Sequence, residues 1–197
     1  MFHRFKLFIE TFDIEKGTTG KISDLTKDTG DLIGNSKTLI YLKKSGNSWK
    51  IISDKILYEK TYLKYGQAKN FKADLVAPEQ VYAGTDYTAS VYLALPKDVV
   101  ALASITSEPI IYPQTKAEEV FRQVPLDYSI LERVMKANTT NNNELNVASI
   151  GFTQLVQNTY KTPQIKLVGM TLIMQRVNVI SKSTFVKREE KNKIEND

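Results

Sequence analysis

The sequence predicts a mainly β protein: an N-terminal antiparallel β-meander over residues 1–61, a linker at 62–72, a β-sandwich over 73–182 and a disordered charged tail at 183–197. Three observations predict it. Tyr87, Ala89, Val91, Leu93 and Leu95 alternate with Thr88, Ser90, Tyr92 and Ala94, the two-residue period of a strand with one buried face. Two β-rich runs, Ser36 to Lys44 and Trp49 to Glu59, flank Ser45-Gly46-Asn47-Ser48, a hairpin signal. Ile165 to Ile180 is apolar on both faces around Gly169, as a central strand is.

In chain order, Phe5 to Glu15 reads as a strand with apolar residues on both faces, and Lys16 to Gly20 as a turn. Lys21 to Asn35 carries acids and glycines and is read as irregular. After the hairpin, Thr61 to Lys72 is polar and basic around Gly66, which suggests a linker. Ala73 to Val76 opens the second part. Pro78 then removes a backbone donor, Ala83-Gly84-Thr85-Asp86 supplies turn chemistry, and Pro96 ends the alternating strand. Val99 to Thr106 is of strand length, with a further short run at Ile110 to Tyr112. Lys116 to Gln123 fits one or two helical turns, with Ala117, Val120 and Phe121 on one side. Ile130 to Ala137 fits helix or strand, and in a sandwich it would be a middle strand. The polar tract from Asn138 to Asn143 is a loop. Leu145 to Gln154 is a strand whose Gly151 suggests a bulge or a close approach.

At 197 residues the chain is long enough to bury a sizeable core, and its 42% hydrophobic and 25% charged content is that of an ordinary globular protein. No apolar run is long enough to span a bilayer. Glu10 and Asp13 cut the N-terminal apolar stretch before a signal sequence forms, so no targeting segment is expected; the compartment stays open. There is no cysteine, hence no disulfide and no thiolate ligand or nucleophile. His3 is the single histidine, which leaves almost no scope for a histidine base or a multi-histidine metal site. The net charge of +5 admits an anionic partner, although mixed lysines and acids also serve solubility alone.

Two resemblances follow from these residues. The strand, Pro78-Glu79, Ala83-Gly84 and second alternating strand of residues 73–95 resemble the opening of bacterial immunoglobulin-like modules; without two cysteines around a tryptophan, this would be the cysteine-free kind. Residues 5–59, with a strand ending in acids and Gly, a second strand, a Gly-Asn turn and Trp49-Lys50-Ile51-Ile52-Ser53, look like the last strands of the nuclear-transport-factor-2-like family. That likeness implies helices ahead of the sheet that close a cone-shaped pocket. Here Met1 stands where they should already have passed. The sheet is then expected to be truncated or to be covered by the second domain or another subunit, and no catalytic residue carries over.

Several clusters suggest chemistry and have plainer readings. Asp28-Thr29-Gly30 is similar to the aspartic-protease triplet, but Lys27 and Asp31 flank it and no second triplet is present, so it reads as a β-turn. Asp24, Asp28 and Asp31 suggest a cation site without matching the EF-hand pattern. Lysines from Lys43 to Lys72 interleave with Tyr58, Tyr62 and Tyr65, as a single-stranded nucleic-acid binder's would, yet Asp54 and Glu59 interrupt the run and a solvated strand face accounts for it. Trp49 is read as a core anchor or, alternatively, a ligand-pocket residue, with Tyr41 on the facing strand. Arg133 and Arg176 lie in apolar strands and are read as paired charges, with Glu132 and Glu144 as nearby partners, or as pocket residues.

The absence of phosphate loops, paired buried carboxylates and cysteine points to a non-catalytic interaction or scaffold protein that needs no cofactor or metal. A protein partner or self-association is expected. The alternative is a small-molecule binder or enzyme with a pocket at the domain or subunit junction; nucleic-acid binding through residues 43–72 comes third.

Overall fold

The computed structural model describes residues 2–9, 30–111, 118–156 and 164–181. These form a mainly β protein, and the described residues contain no α-helix. The strands are β1 (Phe2–Ile9), β2 (Asp31–Ser45), β3 (Ser48–Gly66), β4 (Lys72–Val76), β5 (Gln80–Tyr82), β6 (Asp86–Ala94), β7 (Val99–Pro109), β8 (Arg122–Gln123), β9 (Ile130–Lys136), β10 (Glu144–Val156) and β11 (Gln164–Ile180). The larger sheet runs β1-β2-β3-β11-β10-β7-β8, and the smaller runs β4-β6-β9. Pairing is antiparallel except that β5 lies parallel to the end of β11, with Val179 opposite Val81.

The predicted hairpin is present. Ser45 pairs with Ser48, and Gly46 supplies the positive φ, 61°, that a two-residue loop needs. Its strands are longer than their composition suggests. β2 begins at Asp31, and β3 continues through the expected linker as far as Gly66, where a 3-10 turn at Gln67–Asn70 leads into β4. Residues 61–66 look like a linker because they are polar and basic, but those groups have fixed acceptors. The Lys64 ammonium donates to the Phe71 carbonyl at 3.1 Å. Leu63 meanwhile pairs with Leu172 of β11, so β3 joins the N-terminal hairpin to the sheet built by the rest of the chain.

β11 occupies the centre, between β3 and β10, which is why its sequence is apolar on both faces. The bulge expected near Gly151 lies one residue further on and in the partner strand. Phe152 pairs with Gly169 and Thr153 with Leu167, leaving Val168 as the extra residue. The close approach belongs to Gly169. A Cβ there would sit 2.5 Å from the Ala68 nitrogen and 2.8 Å from the Tyr65 carbonyl oxygen, so only glycine lets the 3-10 turn lie on β11.

Residues 130–136 resolve as strand, and β9 is an edge of the smaller sheet, with β6 in the middle. Residues 118–123 form no helical turn: Arg122 and Gln123 pair with Ala103 and Leu102. The end of the first expected strand at 10–15, the turn at 16–20, the irregular stretch from 21 to 29, residues 112 and 116–117 of the two expected runs there, and the tail at 183–197 lie outside the described residues.

The two sheets close on one core. Leu75, Tyr87, Ala89, Val91 and Leu93 from the smaller sheet meet Ala101, Ala103, Ile105, Ile150, Phe152, Ile173 and Val177 from the larger. The Phe71 and Phe152 rings meet edge to face at 5.0 Å. The burial alternates along β6, as its sequence pattern requires, except at Ser90, which is buried as well.

Candidate functional site

One row of the larger sheet departs from the apolar core. Ser107, Asn146, Gln175 and Lys60 stand opposite one another on β7, β10, β11 and β3. Paired residues share a face, so four polar side chains line up in one seam. Asn146, Gln175 and Lys60 are all buried. The smaller sheet answers at each end of the seam.

At the β10 end, the Tyr87 hydroxyl lies 2.8 Å from Glu144 Oε2, 2.9 Å from Asn146 Oδ1 and 2.9 Å from Ser107 Oγ. Ser107 also donates to Glu144 Oε2 at 3.0 Å, while Glu144 Oε1 accepts the Asn138 backbone and side-chain N–H groups at 2.6 and 2.8 Å. Asn138 in turn holds its own loop, accepting from the backbone of Thr140 and Asn142. Burial, reinforced by the bond to Glu144, pushes the Tyr87 phenol far above its ordinary value.

At the β3 end, Lys60, only 6% exposed, places its ammonium 2.7 Å from Asp74 of β4, and the Tyr62 hydroxyl donates to the same carboxylate oxygen at 2.8 Å. Burial and then the Asp74 bond raise the Tyr62 phenol strongly. In mid-seam, Gln175 Nε2 donates to the Ala77 carbonyl at 2.8 Å. The Gln175 Oε1 and Asn146 Nδ2 atoms are buried with no protein partner, and they belong to residues directly opposite one another.

Chemically the seam is a fastener. Its phenols are held protonated and its carboxylates are engaged by donors, an arrangement that ties two sheets and activates no nucleophile. Among the described residues no group of three or more His, Cys, Asp or Glu side chains is placed to hold a metal. Of the proposed cation cluster, Asp31 pairs with Lys69 at 3.5 Å, while Asp24 and Asp28 lie outside the described residues. Gly30, the last residue of the Asp-Thr-Gly triplet, is packed against the Tyr65 ring.

The four residues singled out from sequence do not form one pocket. Arg133 borders a cleft of about 90 Å³ at the open side of the two layers, with Ala103, Ile105, Val120, Arg122, Leu131 and Glu132. That is well below the ~300 Å³ at which ordinary small-molecule pockets begin. Its guanidinium donates to the Ile105 carbonyl across the gap between sheets, not to Glu132, which accepts from Ser90 at 3.1 Å. Arg176 is paired with Glu59 at 3.6 Å and with Asn178 at 3.3 Å; Glu144 is committed to the seam instead. Both arginines are thus engaged, by partners other than those expected. Tyr41 is half-buried on β2 opposite Ser53. Trp49 is not the expected core anchor: it is 46% exposed, opposite Lys44 beside the hairpin turn.

That hairpin is the second feature. β3 pairs with β11 only from Lys60 to Gly66. Its first half, from Ser48 to Ile56, pairs with β2 as an arm, with β1 on the far side of β2, while Leu57 and Glu59 are still tied to β11 through Asn178 Nδ2 at 3.0 Å and Arg176 at 3.6 Å. Trp49, Ile51 at 68% and Ile52 at 49% are exposed on it. Register shifts at Lys37/Thr38 and Tyr41/Leu42 twist the arm. Lys43, Lys44, Lys50 and Lys55 are also exposed. Residues 37–55 carry five lysines against one aspartate, a net +4 of the chain's +5.

Comparison of the chain with family models, with curated proteins and with solved structures returned no match to any of them.

Proposed function

We propose that the protein is a non-catalytic interaction or scaffold module whose contact surface is the β2–β3 arm. The observation that carries this is the exposure of Trp49, Ile51 and Ile52 together on a strand whose other half is locked into the central sheet. Large apolar side chains gathered on a projecting element mark a binding surface, whereas scattered ones do not. A protein or a second copy of the chain is one class of occupant for this surface, and a bilayer is the other; the charge around the arm decides between them. The small-molecule alternative has less support, since the cleft beside Arg133 holds about 90 Å³ and the seam is filled by its own side chains.

The immunoglobulin-like reading of residues 73–182 is supported by strand order. β4-β6-β9 corresponds to A-B-E of that fold and β11-β10-β7 to G-F-C, the two sheets packing on one core. The nuclear-transport-factor-2-like reading of residues 1–61 is supported by the meander β1-β2-β3, whose last strand finds its next neighbour in β11.

A photo-crosslinking residue in place of Ile51 tests the proposal in extract of the source cell. The expected result is a discrete adduct, to protein or to lipid, that is absent when the same residue replaces Val134, which is equally exposed on β9. Adducts from position 134 alone would move the contact to the sandwich, and a small-molecule mass retained by the chain in native mass spectrometry would favour the pocket alternative.

A further inference from the structure

Resting on the reading of the arm as a contact surface, we infer that the arm docks on an anionic bilayer surface, with Trp49, Ile51 and Ile52 entering the headgroup region and the surrounding lysines meeting lipid phosphates. The register puts Leu42 and Ile51, then Lys44 and Trp49, on one face of the hairpin, and Lys43 and Lys50 on the other. Ile52 is the extra residue of the bulge beside Tyr41/Leu42 and is itself half exposed. A β-sheet layer with its side chains is about 10 Å thick, and β1 lies beside β2 as far as Phe2 opposite Lys43. When the apolar face rests on a bilayer, lysines on both faces therefore stand within about one Debye length, ~8–10 Å, of the charged surface.

Charge decides among the occupants. A second copy would bring two arms of net +4 face to face, so an isologous pairing of arms works against itself. Nucleic acid satisfies the lysines but gives Ile51 and Ile52, the two aliphatic side chains most exposed beside the turn, nothing to bury against; single-strand binders place stacking aromatics there. A bilayer interface takes all three kinds of group at once. Tryptophan is enriched at the headgroup level, aliphatic side chains partition below it, and lysines are drawn to anionic lipid.

Trp49 is the only tryptophan in the chain, so its fluorescence reports this contact alone. The full chain is mixed with phosphatidylcholine vesicles, with or without phosphatidylglycerol, at about 0.1 M and about 0.5 M salt, a range over which screening weakens surface attraction severalfold. The expected result is co-sedimentation with the phosphatidylglycerol vesicles, at least ~10-fold weaker on phosphatidylcholine or at high salt, with a blue shift of Trp49 emission. Ile51→Ser/Ile52→Ser should weaken binding at least ~5-fold, and Lys43→Glu/Lys50→Glu more, with melting temperatures unchanged because these side chains are exposed. No binding, or binding that leaves Trp49 emission unmoved or ignores the isoleucine changes, overturns the inference. Tighter binding to an oligothymidylate than to the vesicles overturns it in favour of nucleic acid. A protein adduct from position 51 combined with no vesicle binding would remove the bilayer and leave the contact surface standing, whereas failure of both would remove the surface itself.

Discussion

Tyr87 of β6 donates its hydroxyl proton to a polar group of β10, with Glu144 2.8 Å away, and this contact joins the two sheets at one end of the buried polar seam. The same hydroxyl lies 2.9 Å from Asn146, so a single phenol serves both acceptors. Tyr87→Phe keeps the packing and strips the donor from buried oxygens. It should cost about 1–2 kcal/mol in urea denaturation, the usual penalty for leaving a buried acceptor short of a partner. Glu144→Ala should cost more, because the Asn138 backbone and side-chain donors lose their acceptor as well.

The phenols also predict an alkaline limit. Tyr87 and Tyr62 have folded-state values raised well above the ordinary phenol value near 10, chiefly by burial. Below pH ~10 both folded and unfolded phenols keep their protons, so this contribution to stability is fully present. Above it the unfolded phenols ionise first, the unfolded state binds fewer protons, and stability falls as pH rises toward the folded values. Melting temperature measured from pH 8 to 11 should be flat and then decline. Tyr87→Phe and Tyr62→Phe should each make the decline shallower; an unchanged slope in both would show that these phenols are not held protonated.

At the opposite end of the seam, Lys60 and Asp74 form an asymmetric pair. Lys60 is buried while the Asp74 side chain is 48% exposed. Asp74→Ala leaves an ammonium and the Tyr62 hydroxyl without their acceptor and should cost on the order of 2 kcal/mol. Lys60→Met replaces the buried charge with an apolar chain of similar length and should cost clearly less. Equal losses in a denaturation series would show that the pair is solvent-screened rather than desolvated.

Gly169 is the residue least open to change. Any side chain meets the backbone of the 3-10 turn at Ala68 and Tyr65, which cannot rotate aside as a side chain would. Gly169→Ala should destabilise by about 2–3 kcal/mol and loosen the Gln67–Asn70 turn. Gly30→Ala, whose three nearest neighbours would all be Tyr65 ring atoms, should cost less because that ring can swing.

Much of this architecture was legible in the residues. The two-residue period of β6, the Gly46-Asn47 turn and the doubly apolar β11 each encode local geometry, and local geometry survives into the fold. What was not legible depends on long-range pairing. Thr61 to Gly66 has the composition of a linker because its lysine and tyrosines are polar at their tips, and nothing nearby in sequence reveals that Asp74, Phe71 and β11 satisfy them. The seam was missed for the same reason. In sequence Lys60, Asn146 and Gln175 stand apart from one another among strand residues, and only the register sets them in one row. Residue type misleads at Trp49: tryptophan is commonly buried, but here it stands beside the hairpin turn and is 46% exposed. The arginine partners could not be read locally either, since Glu59 lies far from Arg176 in sequence and Ile105 offers Arg133 a backbone carbonyl.

The central claim is that β3 is one strand, its second half built into the central sheet and its first half paired with β2 alone. Amide hydrogen exchange of the full chain tests it most directly. Protection at Lys60–Gly66 should match that of their β11 partners Gly169–Gln175 and exceed that of Ser48–Ser53 by at least ~10-fold, because the arm opens without breaking the core. Exchange at 61–66 as fast as in a surface loop, with β11 still protected, would contradict it and return this stretch to the role of a linker.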